Sequence, residues 1–384
     1  MKPVFTRNIL PMLLLLVGTI GCIEPYDPPT GKNNPDFLVV DAFIDGTASS
    51  AYVKLTRTLA LSSTEHPAPE LNATVRLVVN DGTSFDLASS GPGIYEQFIP
   101  IDFEKRYTLY IVTSSGKEYQ SEAITIKRTP AIDSINYFID EYDELNINVN
   151  THDPEASSRF YRWTYEQTFK YRSPLTSNYI KRPSGEITLR EPSEFIDVCY
   201  KTDYLTRIII GSSKLLTQDV IRDLTLLKFR KRSLEISEKY SILVKQQTLS
   251  EEAYDYWLNI KKTTETLGGL FDPLPGEVFG NIHCTTDPAE PVIGYFSGSQ
   301  VTEKRIFISK FDLPNGFSYF EYPYCHIDSI PERFVGTIST STYIIAGIYP
   351  PGSLRPTGFT ISSPTCADCR SFGGGVLEKP DFWE

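Results

Sequence analysis

The chain has 384 residues, with 37 Lys and Arg against 48 Asp and Glu and a formal net charge of -11. That acidic balance argues against nucleic acid as a partner, which rewards a basic face. The length allows two or three domains with proper cores, and past the first two dozen residues no apolar run is long enough to span a bilayer.

Residues 1–21 read as a lipoprotein signal peptide. Lys2 and Arg7 precede an apolar stretch from Ile9 to Ile20, and the small Gly21 stands before Cys22. The stretch suits export and is too short for a stable span. A Cys directly after a small residue resembles the lipobox of bacterial lipoproteins, whose thiol is diacylated and becomes the mature N-terminus. The expectation is therefore a lipidated Cys22 holding the protein at a membrane through several acyl chains. Residues 22–36, rich in Pro, Asn and Gly, read as a flexible tether.

Residues 37–129 read as an immunoglobulin-like β-sandwich. Short alternating runs recur at 37–44, 52–57, 73–79, 84–87, 93–99, 107–112 and 124–126, and Asn80-Asp81-Gly82 is a strong hairpin signal. Thr129-Pro130 is the expected boundary. Residues 130–384 read as a second β-rich domain with one clear helix, so the fold class is mainly β. Strands are expected at 132–139, 145–149, 159–171 and 234–247, and later at 292–296, 305–308 and 343–348. Residues 173–233 are less regular and read as an insertion. A helix near 250–267 has Ser250 as its cap, Glu251 and Glu252 in the first turn and Gly268-Gly269 as its stop, with Tyr254, Trp257 and Leu258 as its apolar face.

Five Cys remain after Cys22: Cys199, Cys284, Cys325, Cys366 and Cys369. An exported chain meets oxidising conditions, so disulfides are expected, and five thiols leave at least one unpaired.

Several segments occur together in order: Leu249-Ser250-Glu251-Glu252-Ala253-Tyr254-Asp255-Tyr256-Trp257, Gly280-Asn281-Ile282, Gly294-Tyr295-Phe296, and Cys366-Ala367-Asp368-Cys369-Arg370 through Gly373-Gly374 to Lys379-Pro380-Asp381-Phe382-Trp383. Together they resemble the domain-of-unknown-function 4249 family, lipoproteins of the Bacteroidota, over essentially the whole mature chain. The resemblance implies an outer-membrane, lipid-anchored accessory, surface-exposed or not, encoded beside TonB-dependent transporters. It supplies no catalytic residues. Cys284 lies outside the family pattern and is the candidate free thiol.

Each remaining motif has a plain structural reading beside a functional one. Cys366 and Cys369 read first as pins for the C-terminal tail, one or both bonded to Cys325 or Cys199. A redox motif would want a strand–helix frame that this Gly-rich context does not offer, and a metal cage recruiting Cys325 and His326 would compete with oxidation. Phe382-Trp383 reads as a packed tail. The acidic turn at 140–144 fits no calcium loop and reads as a solvated hairpin. Lys228, Arg230, Lys231 and Arg232 read as a solvated loop, with lipid phosphate or an acidic partner as the functional alternative. Ser134 and Ser329, in Asp-Ser-Ile triplets, resemble short O-glycosylation acceptors; a turn entering a strand is the plainer reading. No catalytic motif, metal site or cofactor site stands out.

These readings favour a non-enzymatic binding or accessory module on a lipid tether, partnered by an outer-membrane barrel transporter or its cargo. An envelope hydrolase or carbohydrate-active enzyme with its site in the second domain is the rival, recognisable by two carboxylates about 5–10 Å apart in a deep pocket. A purely structural envelope component is the third possibility.

Overall fold

A computed structural model describes residues 36–59, 63–204, 207–265, 278 and 280–383. The lipidation candidate Cys22, the signal peptide and almost all of the tether lie outside those residues.

The first unit is a β-sandwich. In one sheet Ile293–Ser299, Leu38–Asp45, Ser50–Arg57 and Ile94–Phe98 lie side by side. In the other, Ile282–Cys284, Glu118–Ser121, Arg106–Val112 and Thr74–Val79 do so, with Ile124–Thr125 beside Arg106–Val112. The strand Ser84–Gly91 serves both: Ser84 to Leu87 pair with Val75 to Val78, and Ala88 to Gly91 pair with Ile94 to Glu96. Strict alternation buries one face of each strand. Leu38, Val40, Ala42 and Ile44 share a core with Val75, Leu77, Leu109 and Ile111. The expected hairpin closes over Asn80-Asp81-Gly82, where Gly82 sits at φ 89°.

The boundary at 129–130 does not close this unit. The chain leaves at Thr129, builds much of the second domain, and returns at Asn281 to add two strands. Ile293–Ser299 pairs in parallel with the first strand, Val39 opposite Ile293 and Asp45 opposite Ser299. Ile282, Cys284, Val292 and Phe296 thus lie in the sandwich core. The return is needed because the inner faces of Leu38–Asp45 and Glu118–Ser121 would otherwise end at open edges.

The second unit packs two sheets face to face. A three-stranded sheet orders Asp219–Arg230, Glu144–Asp153 and Ile132–Ile139. A five-stranded sheet orders Val198–Tyr204, Phe160–Arg172, Lys239–Thr248 and Val301–Ser309, with Ile209–Ser212 also beside Phe160–Arg172. Leu145, Ile147, Val149, Tyr161, Trp163, Ile242 and Val244 fill the space between them. Residues 173–233, expected as an irregular insertion, therefore supply three strands to these sheets, Val198–Tyr204, Ile209–Ser212 and Asp219–Arg230, with a hairpin of Tyr179–Lys181 and Ile187–Leu189 besides. The helix spans Glu251–Glu265, and the Ser250 hydroxyl caps it by accepting from the Ala253 N–H at 3.2 Å. Its deepest residues are Ala253 and Tyr256, and Tyr254 and Trp257 of the expected face pack half-buried against Phe160, Leu249 and Ala253. The expected stop at Gly268-Gly269 lies outside the described residues.

Three chain crossings join the units. The Thr129 hydroxyl donates to the Gln300 carbonyl at 2.6 Å and accepts from the Thr248 N–H at 3.0 Å. From this junction the 13-residue strand Phe160–Arg172 runs about 40 Å. Phe160 lies at the junction, bonded to Leu249, and Tyr171 lies at the other end, bonded to the Cys369 carbonyl.

A small lobe sits at that remote end. It contains a three-stranded sheet of Asp328–Pro331, Gly358–Ser362 and Ile344–Tyr349, the 179–189 hairpin, and two short helices, Pro364–Ala367 and Cys369–Gly373. The hairpin is tied in by Ser177, which donates to the Ile345 carbonyl at 2.7 Å, and by Lys181, which donates to the carbonyls of Gly336 and Ile338.

Candidate functional site

The lobe has little core of its own: Val335, Ile345, Ile361 and Ala367 are its main buried apolar residues. Covalent staples do the rest. Cys325 is bonded to Cys366 within the lobe, and Cys199 on the long sheet is bonded to Cys369, over sequence separations of 41 and 170 residues. Loop closure at those spans corresponds to about 4 and about 5 kcal/mol in the chain-entropy model. Each member of the Cys-x-x-Cys pair thus takes one of the two expected partners. Cys284 is buried and free.

What the lobe lacks inside it shows outside. Tyr319, Tyr324, Phe334, Tyr349, Leu354 and Leu189 are all exposed, Leu354 completely and Tyr324 at 89%. Exposed apolar side chains stand elsewhere too, Phe98, Tyr142, Tyr204, Leu215 and Phe311 among them, and the lobe adds the largest share for its size. Leu354 stands in the loop that joins Ile344–Tyr349 to Gly358–Ser362, whose last pair is Tyr349 opposite Gly358. No periodicity signal could have found this set, because its members come from five separate segments: two loops, two strands and a short helix.

Three of the four family-like segments, all but the closing Cys366 to Trp383, converge elsewhere, at the junction. A methyl group on Gly280 would fall 1.5 Å from the Gly294 carbonyl oxygen, and one on Gly294 would fall 1.9 Å from the Val40 carbonyl. Only glycine fits where these backbones touch, and Gly294 is also held at φ 140°. Asn281, buried, brackets Phe296 by donating to its carbonyl and accepting from its N–H, both at 2.8 Å. The helix adds Tyr256 against the Tyr295 ring at 5.2 Å and Trp257 under the Arg162 guanidinium at 3.9 Å. Burial pushes the Tyr256 hydroxyl up to about 12 and draws the Arg162 guanidinium down. A hollow of about 340 Å³ remains there, lined by Leu249, Ser250, Asn281 and Tyr295 among others. These motifs hold the two units together.

At the sandwich end farthest from the junction, where residue 36 enters, a wider hollow of about 1000 Å³ contains Arg57, Glu70, Ser114, Lys117 and Glu290. Its two buried carboxylates are clamped. Glu70 accepts from Arg57 at 2.7 Å and from Ser114 at 3.2 Å. Glu290 accepts from the Tyr119 hydroxyl at 2.7 Å and from Lys117. Burial raises the Glu290 carboxyl, yet the bonds from Lys117 and Tyr119 outweigh it and hold the group below its ordinary range.

The two opposed charge runs pair with each other. Lys228 lies 3.4 Å from both Asp140 and Glu144, and Lys231 lies 3.0 Å from Asp143. Hydrogen bonds from Asn146 and the Glu144 backbone hold the Asp140 carboxyl at about 2. Ser134 is half-buried in a strand opposite Asn150, while Ser329 is exposed opposite Thr360. His152 and His326 each meet one carboxylate at 2.8 Å, Asp133 and Asp328. Among the described residues no group of three or more His, Cys, Asp or Glu is placed to hold a metal ion, and no helix is long and apolar enough to cross a membrane.

A family model described as a domain of unknown function, DUF4249, matches residues 23–305. The helix, Gly280 and Gly294 segments fall inside that match; the closing Cys366 to Trp383 segment falls outside it. No curated protein matches. Among solved structures, a two-domain fibronectin type-III segment from chicken tenascin is similar at 11% identity, covering 56% of this chain and 91% of that one with a TM-score of 0.15. The chicken CNTN1 FN1–FN3 domains are similar at 11% identity, covering 56% and 60% with a TM-score of 0.18.

Proposed function

The chain belongs to the DUF4249 family, and from that premise we propose a non-enzymatic cell-envelope lipoprotein that binds or assists a partner through its C-terminal lobe. Its anchor is an acylated Cys22 in the outer membrane, and its partner is a TonB-dependent barrel transporter or that transporter's cargo. One observation carries the reading: exposed aromatic and aliphatic side chains gather on a disulfide-stapled lobe, at the end of the long sheet remote from the sandwich that residue 36 enters. The family match beginning directly after Cys22 accords with a leader removed at that point.

A hydrolase would want a carboxyl held protonated by its surroundings. The shifted carboxyls here (Asp81, Asp140, Asp153, Glu194, Glu252, Glu290 and Asp368) all move down.

Crosslinking in intact cells, then purification and mass spectrometry, tests the partner. The expected result is co-recovery of one outer-membrane barrel, reduced severalfold by Tyr324→Ala with Leu354→Asp. Recovery of the lipoprotein alone from a working crosslinking reaction would overturn it. Intact mass of the mature chain tests the anchor: an unmodified thiol at Cys22 removes it.

A further inference from the structure

The two cross-links of the lobe differ in what surrounds them. Cys199 and Cys369 are both fully enclosed. Cys366 is buried too, but its partner Cys325 is half-buried, between the exposed neighbours Tyr324 and His326. Thiol–disulfide exchange begins with a thiolate reaching one sulfur of the bond. Access on the Cys325 side therefore separates the two bonds: an external thiol reaches one and is shut out of the other.

Cys325 also fixes a length of chain with few other attachments. Residues 318–326 form a strap between two anchored points. Phe317 is buried in the core of the second unit, and its carbonyl accepts from the Arg232 N–H at 2.8 Å. Asp328 opens the lobe sheet opposite Ile361. Between them, among the described residues, no backbone group bonds another backbone group. The strap is held instead by the Cys325–Cys366 bond, by the Ser362 hydroxyl donating to the His326 carbonyl at 2.7 Å, and by the rings of Phe320 and Tyr322 against Phe372 at 6.2 and 5.8 Å. Glu321 adds an exposed ion pair with Arg232 at 3.7 Å, a kind worth little in water. This strap carries Tyr319 and Tyr324, two of the exposed aromatics of the lobe.

We propose that Cys325–Cys366 is a thiol-exchange site whose substrate is a protein dithiol: opening it frees the strap and unloads the lobe, while Cys199–Cys369 stays closed. The unloading rests on the lobe being the partner surface; the exchange does not. The incoming thiolate attacks the Cys325 sulfur, the bond to Cys366 breaks, and Cys366 leaves as a thiolate that takes a proton from water. The reductant's second thiolate then displaces Cys325 and closes the reductant's own disulfide. Two electrons and two protons thus pass from the dithiol to the pair. Once free, Tyr319 and Tyr324 must be ordered again on binding, an entropic cost that the closed strap avoids.

Graded dithiothreitol on the folded full chain in detergent tests the site, with iodoacetamide as quench and peptide mass spectrometry as readout. Cys325 and Cys366 should be alkylated at least about tenfold faster than Cys199 and Cys369. Chymotrypsin cleavage after Tyr319, Phe320 or Tyr324 should rise with that alkylation. Equal rates for the two pairs, or no alkylation before the chain melts, would overturn the exchange site. Alkylation of Cys325 with unchanged cleavage would overturn the release of the strap. Cys325→Ser with Cys366→Ser should be cleaved like the reduced chain, with or without dithiothreitol, and in intact cells should be crosslinked to the barrel severalfold less. Undiminished crosslinking of that variant would overturn the unloading. Selective reduction in a protein that captures no barrel even when unsubstituted would uphold the exchange and overturn the partner reading instead.

Discussion

The sandwich and the lobe solve the same stability problem by opposite means. The sandwich buries long alternating faces, Leu38 to Ile44 against Val75 to Ile111, and its sole cysteine, Cys284, stays reduced. The lobe buries little and is held by two cross-links. The contrast follows from surface-to-volume scaling, since a small body cannot bury enough to offset the entropy of ordering its chain. It also separates roles. The lobe presents Tyr324 and Leu354 to solvent, while the sandwich packs Tyr107 and Tyr119 inward and leaves Phe98 and Leu71 exposed.

The sharpest way to break the contrast is to cut a staple. Cys199→Ser with Cys369→Ser should remove about 3–5 kcal/mol of constraint from the lobe. Hydrogen exchange should then show protection lost across 328–375 while Leu38–Asp45 stays protected. Equal losses in both regions would mean that the lobe is integral to the core.

The converse experiment strains the sandwich. Gly294→Ala places a methyl group against the Val40 carbonyl at a φ that L-residues avoid. It should destabilise by about 2–4 kcal/mol, with exchange rising in Leu38–Asp45 first. An unchanged melting temperature would show that the two backbones can part freely.

A smaller effect sharpens the electrostatics of the sandwich end. The Glu290 carboxyl titrates below its ordinary range when folded, so the stability it contributes is fully present above about pH 4.3 and is lost as pH falls through the folded value. Glu290→Gln should leave the lobe unaffected and flatten that acid limb. An unaltered acid limb in urea titrations from pH 6 to pH 3 would assign the loss to other carboxyls.

Much of the sandwich was legible because burial on one face imposes a period of two, as in Tyr52 to Arg57 and Tyr107 to Val112. The return of Ile293–Ser299 was legible as a strand but not as this sandwich's strand, because pairing across so much chain leaves no local mark. Asp219–Arg230 was hidden for a different reason. Asp223 sits at φ 48°, the register with Glu144–Asp153 shifts nearby, and the alternation slips. Of the site, the cysteine partners were narrowed by the family resemblance, which set Cys284 apart. The pairing of Lys170 with Lys239 was not legible, because the two become neighbours only through sheet register.

The late return of Ile293–Ser299 has a consequence for biogenesis. At synthesis rates of about 5–20 residues per second, Val39 waits about 10–50 s for its parallel neighbour to be made. Throughout that interval the opening strand carries an unsatisfied row of backbone groups, the kind of template on which chains stick together. A holdase that shields exposed strand edges is accordingly expected to raise the yield of this protein.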